Sequence, residues 1–114
     1  MSTDCIFCKI ANGEIPSEKI FEDEEIIAFN DINPAAPKHM LIVPKEHIPT
    51  LNDLQERHVP LIGKMFATAK DLAKKTGISE SGYRTIINCN GDSGQEVFHI
   101  HLHVLGGARL GRMG

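Results

Sequence analysis

The stretch His99-Ile100-His101-Leu102-His103-Val104 sets three imidazoles at alternate positions, each followed by one apolar residue. Successive side chains of an extended strand point to opposite faces, so this spacing places His99, His101 and His103 on one face and Ile100, Leu102 and Val104 on the other. At roughly 3.3 Å per residue, neighbouring rings stand about 6.6 Å apart along the strand, close enough to grip one small anionic group together. Imidazoles titrate near neutrality, which suits nucleophilic attack and proton transfer, and their ring nitrogens also bind metals. A second candidate is the Cys5-x-x-Cys8 pair. On spacing alone it is redox active, structural or half of a zinc site, because no second pair follows to supply the remaining tetrahedral ligands. A third is His39, bracketed by Pro37 and Pro44 and so delivered by a chain with few conformations open to it.

The elements that must position these residues follow from local pattern. Cys5 to Ala11 reads as a short helix closed by Asn12-Gly13. Lys19 to Glu22 and Glu25 to Asn30 read as two strands joined by an acidic turn, and His39 to Val43 as a third strand that Pro44 stops. From Asn52 to Thr76, apolar residues at Leu54, Leu61, Ile62, Met65, Phe66, Ala69, Leu72 and Ala73 recur with helical spacing and are expected in the core. Pro60 belongs in the first turn of that helix, which leaves Asn52 to Arg57 as a separate short turn, and Gly77 ends it. Tyr83 to Cys89 reads as a fourth strand that buries Cys89 as a small hydrophobe, joined to the histidine strand through a short Gly-rich loop as an antiparallel hairpin. His58, with no motif around it, is expected at the surface. The expected architecture is α+β, a single domain over 1–114 with an antiparallel sheet of about five strands, one long helix and one short one.

Composition narrows the function. The chain has 114 residues, enough for one core, and a net charge of −3. With no basic run longer than Lys74-Lys75, no Trp and one Tyr, it lacks both the basic stripe and the stacking platforms of a nucleic-acid surface. Apolar runs such as Met40 to Val43 are too short to span a bilayer, and Met1 to Asp4 has none of the features of a signal peptide, so the expected location is cytoplasmic. Three cysteines, an odd count, fit a reducing compartment.

The alternating histidines closed by Gly106-Gly107 resemble the signature of the histidine triad family of nucleotide hydrolases and transferases. The likeness runs along nearly the whole chain, through Cys5-Ile6-Phe7-Cys8-Lys9-Ile10, Ile15-Pro16, Phe29-Asn30-Asp31-Ile32-Asn33-Pro34, Pro37-Lys38-His39 and Gly94-Gln95-Glu96-Val97. By this resemblance His101 is the nucleophile, His103 contacts the phosphate and manages the proton, and His39 supports them from the adjacent strand. Asp31 would accept the ribose hydroxyls. Phe7, Ile10, Phe29 and Ile32 would wall the base, and Asn88 with Gly94, Gln95, Glu96 and Val97 would surround the phosphate. Relatives with cysteines complete a structural zinc site with residues matching His47 and His99, and family members form homodimers with a continuous sheet. The chain departs from some relatives at Glu96, where a hydroxyl residue is seen and where only the backbone is expected to serve, and at Asn30, which replaces a His. Retention of His103 points away from the galactose-transfer branch, which has Gln there, and toward the branch that splits the P–N bond of purine nucleoside phosphoramidates.

Within the family, hydrolysis of dinucleoside polyphosphates is the alternative. Two other classes compete. A metal-dependent hydrolase or oxygenase would use the triad strand as ligands, but nearby carboxylates are few, with Asp92 and Glu96 in a loop, and no catalytic metal is expected. A non-catalytic nucleotide-sensing or interaction module would not need all three histidines.

Overall fold

The structure, a computed structural model, describes residues 5–114, so the reading of Met1 to Asp4 lies outside the described residues. Helix α1 spans Ile6–Ala11. Strands β1 (Lys19–Glu22), β2 (Ile26–Asn30) and β3 (Lys38–Pro44) follow, then helix α2 (Val59–Lys75) and strands β4 (Tyr83–Ile86) and β5 (Leu102–Gly106). The strands form one antiparallel sheet in the order β1-β2-β3-β5-β4, as the sequence predicts for class and strand number.

Both faces of the central strands are covered, and residue parity decides which side chain goes where. Ile26 and Ala28 of β2, Met40 and Ile42 of β3, and Leu102 and Val104 of β5 join Leu61, Met65, Ala69, Leu72 and Ala73 of α2 in one buried cluster. The intervening Ile27, Phe29, Leu41 and Val43 pack on the other face with Phe7, Cys8 and Ile10 of α1. α2 begins with Pro60 in its first turn, where a missing donor costs nothing. It ends in a Schellman motif: Ile78 N–H bonds the Ala73 carbonyl at 3.0 Å and Gly77 N–H the Lys74 carbonyl at 3.3 Å, with Gly77 at φ +81°. Among the described residues no helix is long and apolar enough to cross a membrane.

Four readings need correction. Phe66 is exposed, because it lies on the flank of α2 away from the Met65–Leu72 stripe. His58 is only 3% exposed: its Nδ1 accepts the Gln55 N–H at 2.9 Å, and its Nε2 lies 3.0 Å from Glu46 Oε2. That carboxylate also takes both terminal nitrogens of Arg57, which with His58 holds it down at about 2. β4 stops at Ile86, so Cys89 lies outside the sheet and is half-buried. The β4–β5 link is correspondingly no short hairpin, since β4 ends at Ile86, β5 begins at Leu102 and everything from 87 to 101 lies between. Gln95 holds that segment: its amide oxygen accepts the Asn90 N–H at 2.7 Å and its NH2 donates to the carbonyls of Pro49 and Val97 at 2.9 and 3.1 Å.

Candidate active site

His99 and His101 therefore precede the regular strand instead of lying within it. The alternation nonetheless survives, because Ile100 is fully buried in the α2-side core and its N–H bonds the Ile48 carbonyl at 2.7 Å. Two hydrogen-bonded anchors, Gln95 before and Ile100 within, hold the segment in place without a ladder partner. The three imidazoles emerge on the α1 side, where the rings of His101 and His103 are 4.9 Å apart.

Hydrogen bonding assigns the proton on each ring. His101 Nδ1 lies 2.7 Å from the His99 carbonyl, an acceptor, so Nδ1 carries the hydrogen and Nε2 keeps its lone pair. His39 has the opposite tautomer: Nδ1 accepts the Ala35 N–H at 3.0 Å, leaving the hydrogen on Nε2. That N–H donates to His103 Nδ1 at 2.9 Å, which in turn places the His103 hydrogen on Nε2. Burial is the main cause that depresses all three, leaving them neutral at pH 7; His103, further lowered by His101 and His39, sits at about 4. Adjacent rings on one strand thus present complementary atoms, a bare lone pair on His101 and an N–H donor on His103. Such a pair can attack an electrophile and hydrogen-bond its oxygen or leaving atom.

The rings of His39, His101 and His103 open into a cavity of about 540 Å³. Phe7, Ile10, Phe29 and Ile32 line it, as do Asp31, Asn88, Gly94, Glu96 and Val97. Gln95 does not; its side chain is spent on the loop anchors described above, so the contact assigned to it is corrected to a supporting one. Asp31 is divided. Oδ1 accepts the Asn33 N–H at 2.9 Å in an Asx turn, while Oδ2 stands 3.5 Å from His39 Nε2 at the cavity wall. Glu96 is exposed, so its carboxylate remains hydrated at the mouth. Sequence reasoning missed Leu41, Ser17 and Glu18 as lining residues. Leu41 was legible in principle, since it shares strand parity with His39, whereas nothing local marks Ser17 or Glu18.

A second cluster joins Cys5, Cys8, His47 and His99, whose ligand atoms all lie within 4.8 Å of one another. Cys5 Sγ is 3.3 Å from His99 Nδ1, Cys8 Sγ 3.3 Å from His47 Nδ1, and the two Nδ1 atoms are 3.1 Å apart. A tetrahedral zinc with bonds of about 2.0–2.3 Å needs ligand atoms roughly 3.3–3.8 Å apart, so the two sulfur–imidazole separations fit and the pair of Nδ1 atoms would open by a few tenths of an ångström. The donor chemistry fits too: His99 Nε2–H donates to the Pro44 carbonyl at 2.7 Å, which turns the Nδ1 lone pair toward the sulfurs. With burial and the Cys5 thiol as the surroundings, the Cys8 thiol is pushed up to about 11, a cost that a cation would reverse. A third group, Asp31, His39 and His103, also brings three ligand atoms within 4.8 Å.

Residues 4–112 match the family profile described as the C-terminal binding region of the scavenger mRNA decapping enzyme. The chain is 48% identical to the purine nucleoside phosphoramidase of Escherichia coli over 113 residues, covering 99% of this chain and 95% of that protein. It is 48% identical to protein HitA of Neisseria gonorrhoeae, covering 90% and 95% of the two. A histidine triad protein from Clostridium difficile superposes with a TM-score of 0.95 at 46% identity, covering 100% of this chain and 99% of that one. A HIT family hydrolase from Legionella pneumophila gives a TM-score of 0.91 at 53% identity, covering 93% and 95%. With its three imidazoles on one face, and with relatives matched along almost their whole lengths, the chain belongs to the histidine triad family.

Proposed function

We propose that this protein hydrolyses the P–N bond of purine nucleoside phosphoramidates through a nucleotidyl-histidine intermediate on His101. The observation that carries the reading is the opposed tautomers of His101 and His103 at the edge of a nucleoside-sized cavity. The base lies between Phe7, Ile10, Phe29 and Ile32, with Asp31 Oδ2 at the ribose and Asn88, Gly94 and Val97 near the phosphate.

In the first step the His101 Nε2 lone pair attacks the α-phosphorus. A bond forms to Nε2, the P–N bond breaks, and its electron pair stays on the departing nitrogen. An anionic phosphate entering the site favours protonated His103, whose Nδ1 then also carries hydrogen and gives up its bond from the His39 Nε2–H, and whose Nε2–H supplies the proton that the departing nitrogen needs. In the second step water attacks the phosphorus, its proton returns to His103, and His101 leaves with its pair, releasing the nucleoside monophosphate. The His99 carbonyl keeps the His101 ring in one orientation throughout.

Cys5, Cys8, His47 and His99 are the residues that would hold a structural zinc, whose role is to fasten chain segments and not to activate substrate. Edge strand β4, with Tyr83 exposed, is the edge assigned to a second copy that would continue the sheet, which sedimentation at micromolar concentration would read as a dimer.

The test is turnover of adenosine 5′-phosphoramidate. His101→Ala should abolish turnover and leave nucleotide binding largely intact, and a His103 variant should accumulate an adenylated species by intact mass. Undiminished turnover by His101→Ala dismisses the reading. Since Asp31, His39 and His103 are also placed to hold a cation, a metal-dependent hydrolase is the second reading; it requires activity to vanish with a chelator and return with a divalent metal.

A further inference from the structure

α1 faces two sites at once. Cys5, at its N-cap, and Cys8, in its first turn, belong to the four-ligand cluster, while Phe7 and Ile10 line the nucleotide cavity. The coupling element is Phe7. Its ring sits edge-on to His99 of the cluster with centroids 5.9 Å apart, to His101 of the triad at 5.0 Å, and to Phe29 of the opposite wall at 5.7 Å. One side chain thus touches a candidate metal ligand, the nucleophile and the base wall.

Burial of Phe7, Cys8 and Ile10 against Ile27, Phe29, Leu41 and Val43 seats α1 on the sheet, whereas the polar fastening of its N-terminal turn is weak. The helix has six residues, and helices shorter than about 12–15 residues are marginal alone. Its N-terminal turn is held by Cys5 Sγ, which accepts the Cys8 N–H at 3.4 Å, and by sulfur–imidazole contacts of 3.3 to 3.5 Å, which are weak hydrogen bonds. Metal–thiolate and metal–imidazole bonds would tie the same turn to residues 47 and 99, far along the chain, on the β3–α2 link and the triad segment. The apolar surface Phe7 and Ile10 present to a base is therefore set by that fastening together with their packing on β2 and β3. A purine packed against the same wall must in turn restrain α1, and with it the two sulfurs.

We propose that the Cys5–Cys8–His47–His99 cluster and the nucleotide cavity are energetically linked through Phe7 and α1, so that zinc tightens nucleoside binding and nucleoside tightens zinc binding. The inference rests on the reading of the cavity as a nucleotide site. Linkage is reciprocal, so one factor governs both directions. The cluster also opens to a surface cleft of about 480 Å³ lined by Cys5, His47 and Ile6, which lets zinc reach the folded chain from solvent.

The test uses full-length protein stripped of metal, with zinc and adenosine as probes; adenosine has no phosphate with which to chelate the ion. Calorimetry is expected to show one zinc per chain and a Kd for adenosine at least about fivefold lower with zinc than without it, and competition with a chelator should show zinc affinity raised by the same factor when adenosine saturates. Hydrogen exchange separates linkage from global folding: zinc should protect residues 5–11 while leaving α2 and β3 unchanged. Cys8→Ser should make adenosine affinity insensitive to zinc. Zinc and adenosine that both bind, with neither affinity altered by the other, overturn the inference alone. Protection spread over the whole chain also overturns it. Failure of adenosine to bind in either state overturns it together with the nucleotide reading, which makes the two failures distinguishable.

Discussion

Removing His39 isolates the ring pair on which the chemistry depends. His39 lies in β3, one diagonal position from His103 across the β3–β5 ladder, and is 7% exposed. Its Nε2–H satisfies His103 Nδ1 at 2.9 Å, and its own Nδ1 is held by the Ala35 N–H at 3.0 Å. In His39→Ala the His103 lone pair is left half-buried without a donor, and the ring is free to flip or exchange tautomer. Leaving such a group unsatisfied costs about 1–3 kcal/mol. Expressed in the transition state at about 1.4 kcal/mol per tenfold, that predicts a fall in kcat of roughly 5- to 150-fold. KM should move far less, because His39 shapes the donor and not the base wall. His39→Gln, whose side-chain amide can reach the same atom, should recover part of the loss. The assay is steady-state cleavage of a fluorogenic adenosine phosphoramidate, paired with an NMR titration of His103. His39 is one of the groups lowering His103, so the His103 pKa should rise from about 4 in the Ala variant. A change in kcat below about twofold, with the His103 tautomer unaltered, would refute the donor chain. A loss equal to that of His101→Ala would show that His39 itself takes part in bond making.

Gln95→Ala removes three hydrogen bonds that hold the triad segment, so unfolding free energy should fall by about 2–3 kcal/mol in denaturant melts at about 1 kcal/mol per bond, with kcat reduced as His101 loses its fixed approach. Acidification should destabilise the fold. His103 stands at about 4 when folded and near 6.5 when unfolded, so between those values the unfolded chain binds more protons. The contribution is complete above about pH 6.5 and is lost as pH falls toward 4; a melting temperature that rises over that descent contradicts the burial of these rings.

Much of this was legible in the sequence because parity carries it. β1 lies where the sequence predicts it, β2 starts one residue later, β3 runs one residue further at each end so that Pro44 is its last residue and not the residue after it, and α2 begins at the predicted proline turn, since each is bounded by a turn, a proline or a glycine. The alternation at residues 99 to 104 identified the face each imidazole occupies even though half of that stretch is not laddered. Three of the failures share one cause. His58, Gln95 and Cys89 depend on partners far away: Glu46 for the first, Pro49 for the second, and for the third the departure of the chain from the sheet after Ile86. No local pattern encodes those distances. Phe66 failed differently, because helical spacing marks a stripe without saying how wide the covered face is.

The same parity makes site and core inseparable. In the β3–β5 ladder Leu41 opposes His103 and His39 opposes Leu105, on the face that holds the cavity, while Met40 opposes Val104 and Ile42 opposes Leu102 against α2. A one-residue slip would turn His103 into the apolar cluster and bring Val104 to the cavity. Burying an unpaired imidazole there while exposing Leu102 and Val104, the two residues of β5 in that cluster, costs several kcal/mol, on the scale of the whole stability of a small domain. The register that positions the imidazole proposed as donor, and the segment leading to the proposed nucleophile, is thus enforced by residues on the opposite face. Substitutions at Ile100, Leu102 or Val104 that preserve volume should accordingly spare catalysis, whereas a polar residue at any of them would displace the imidazole beside it before it unfolds the sheet.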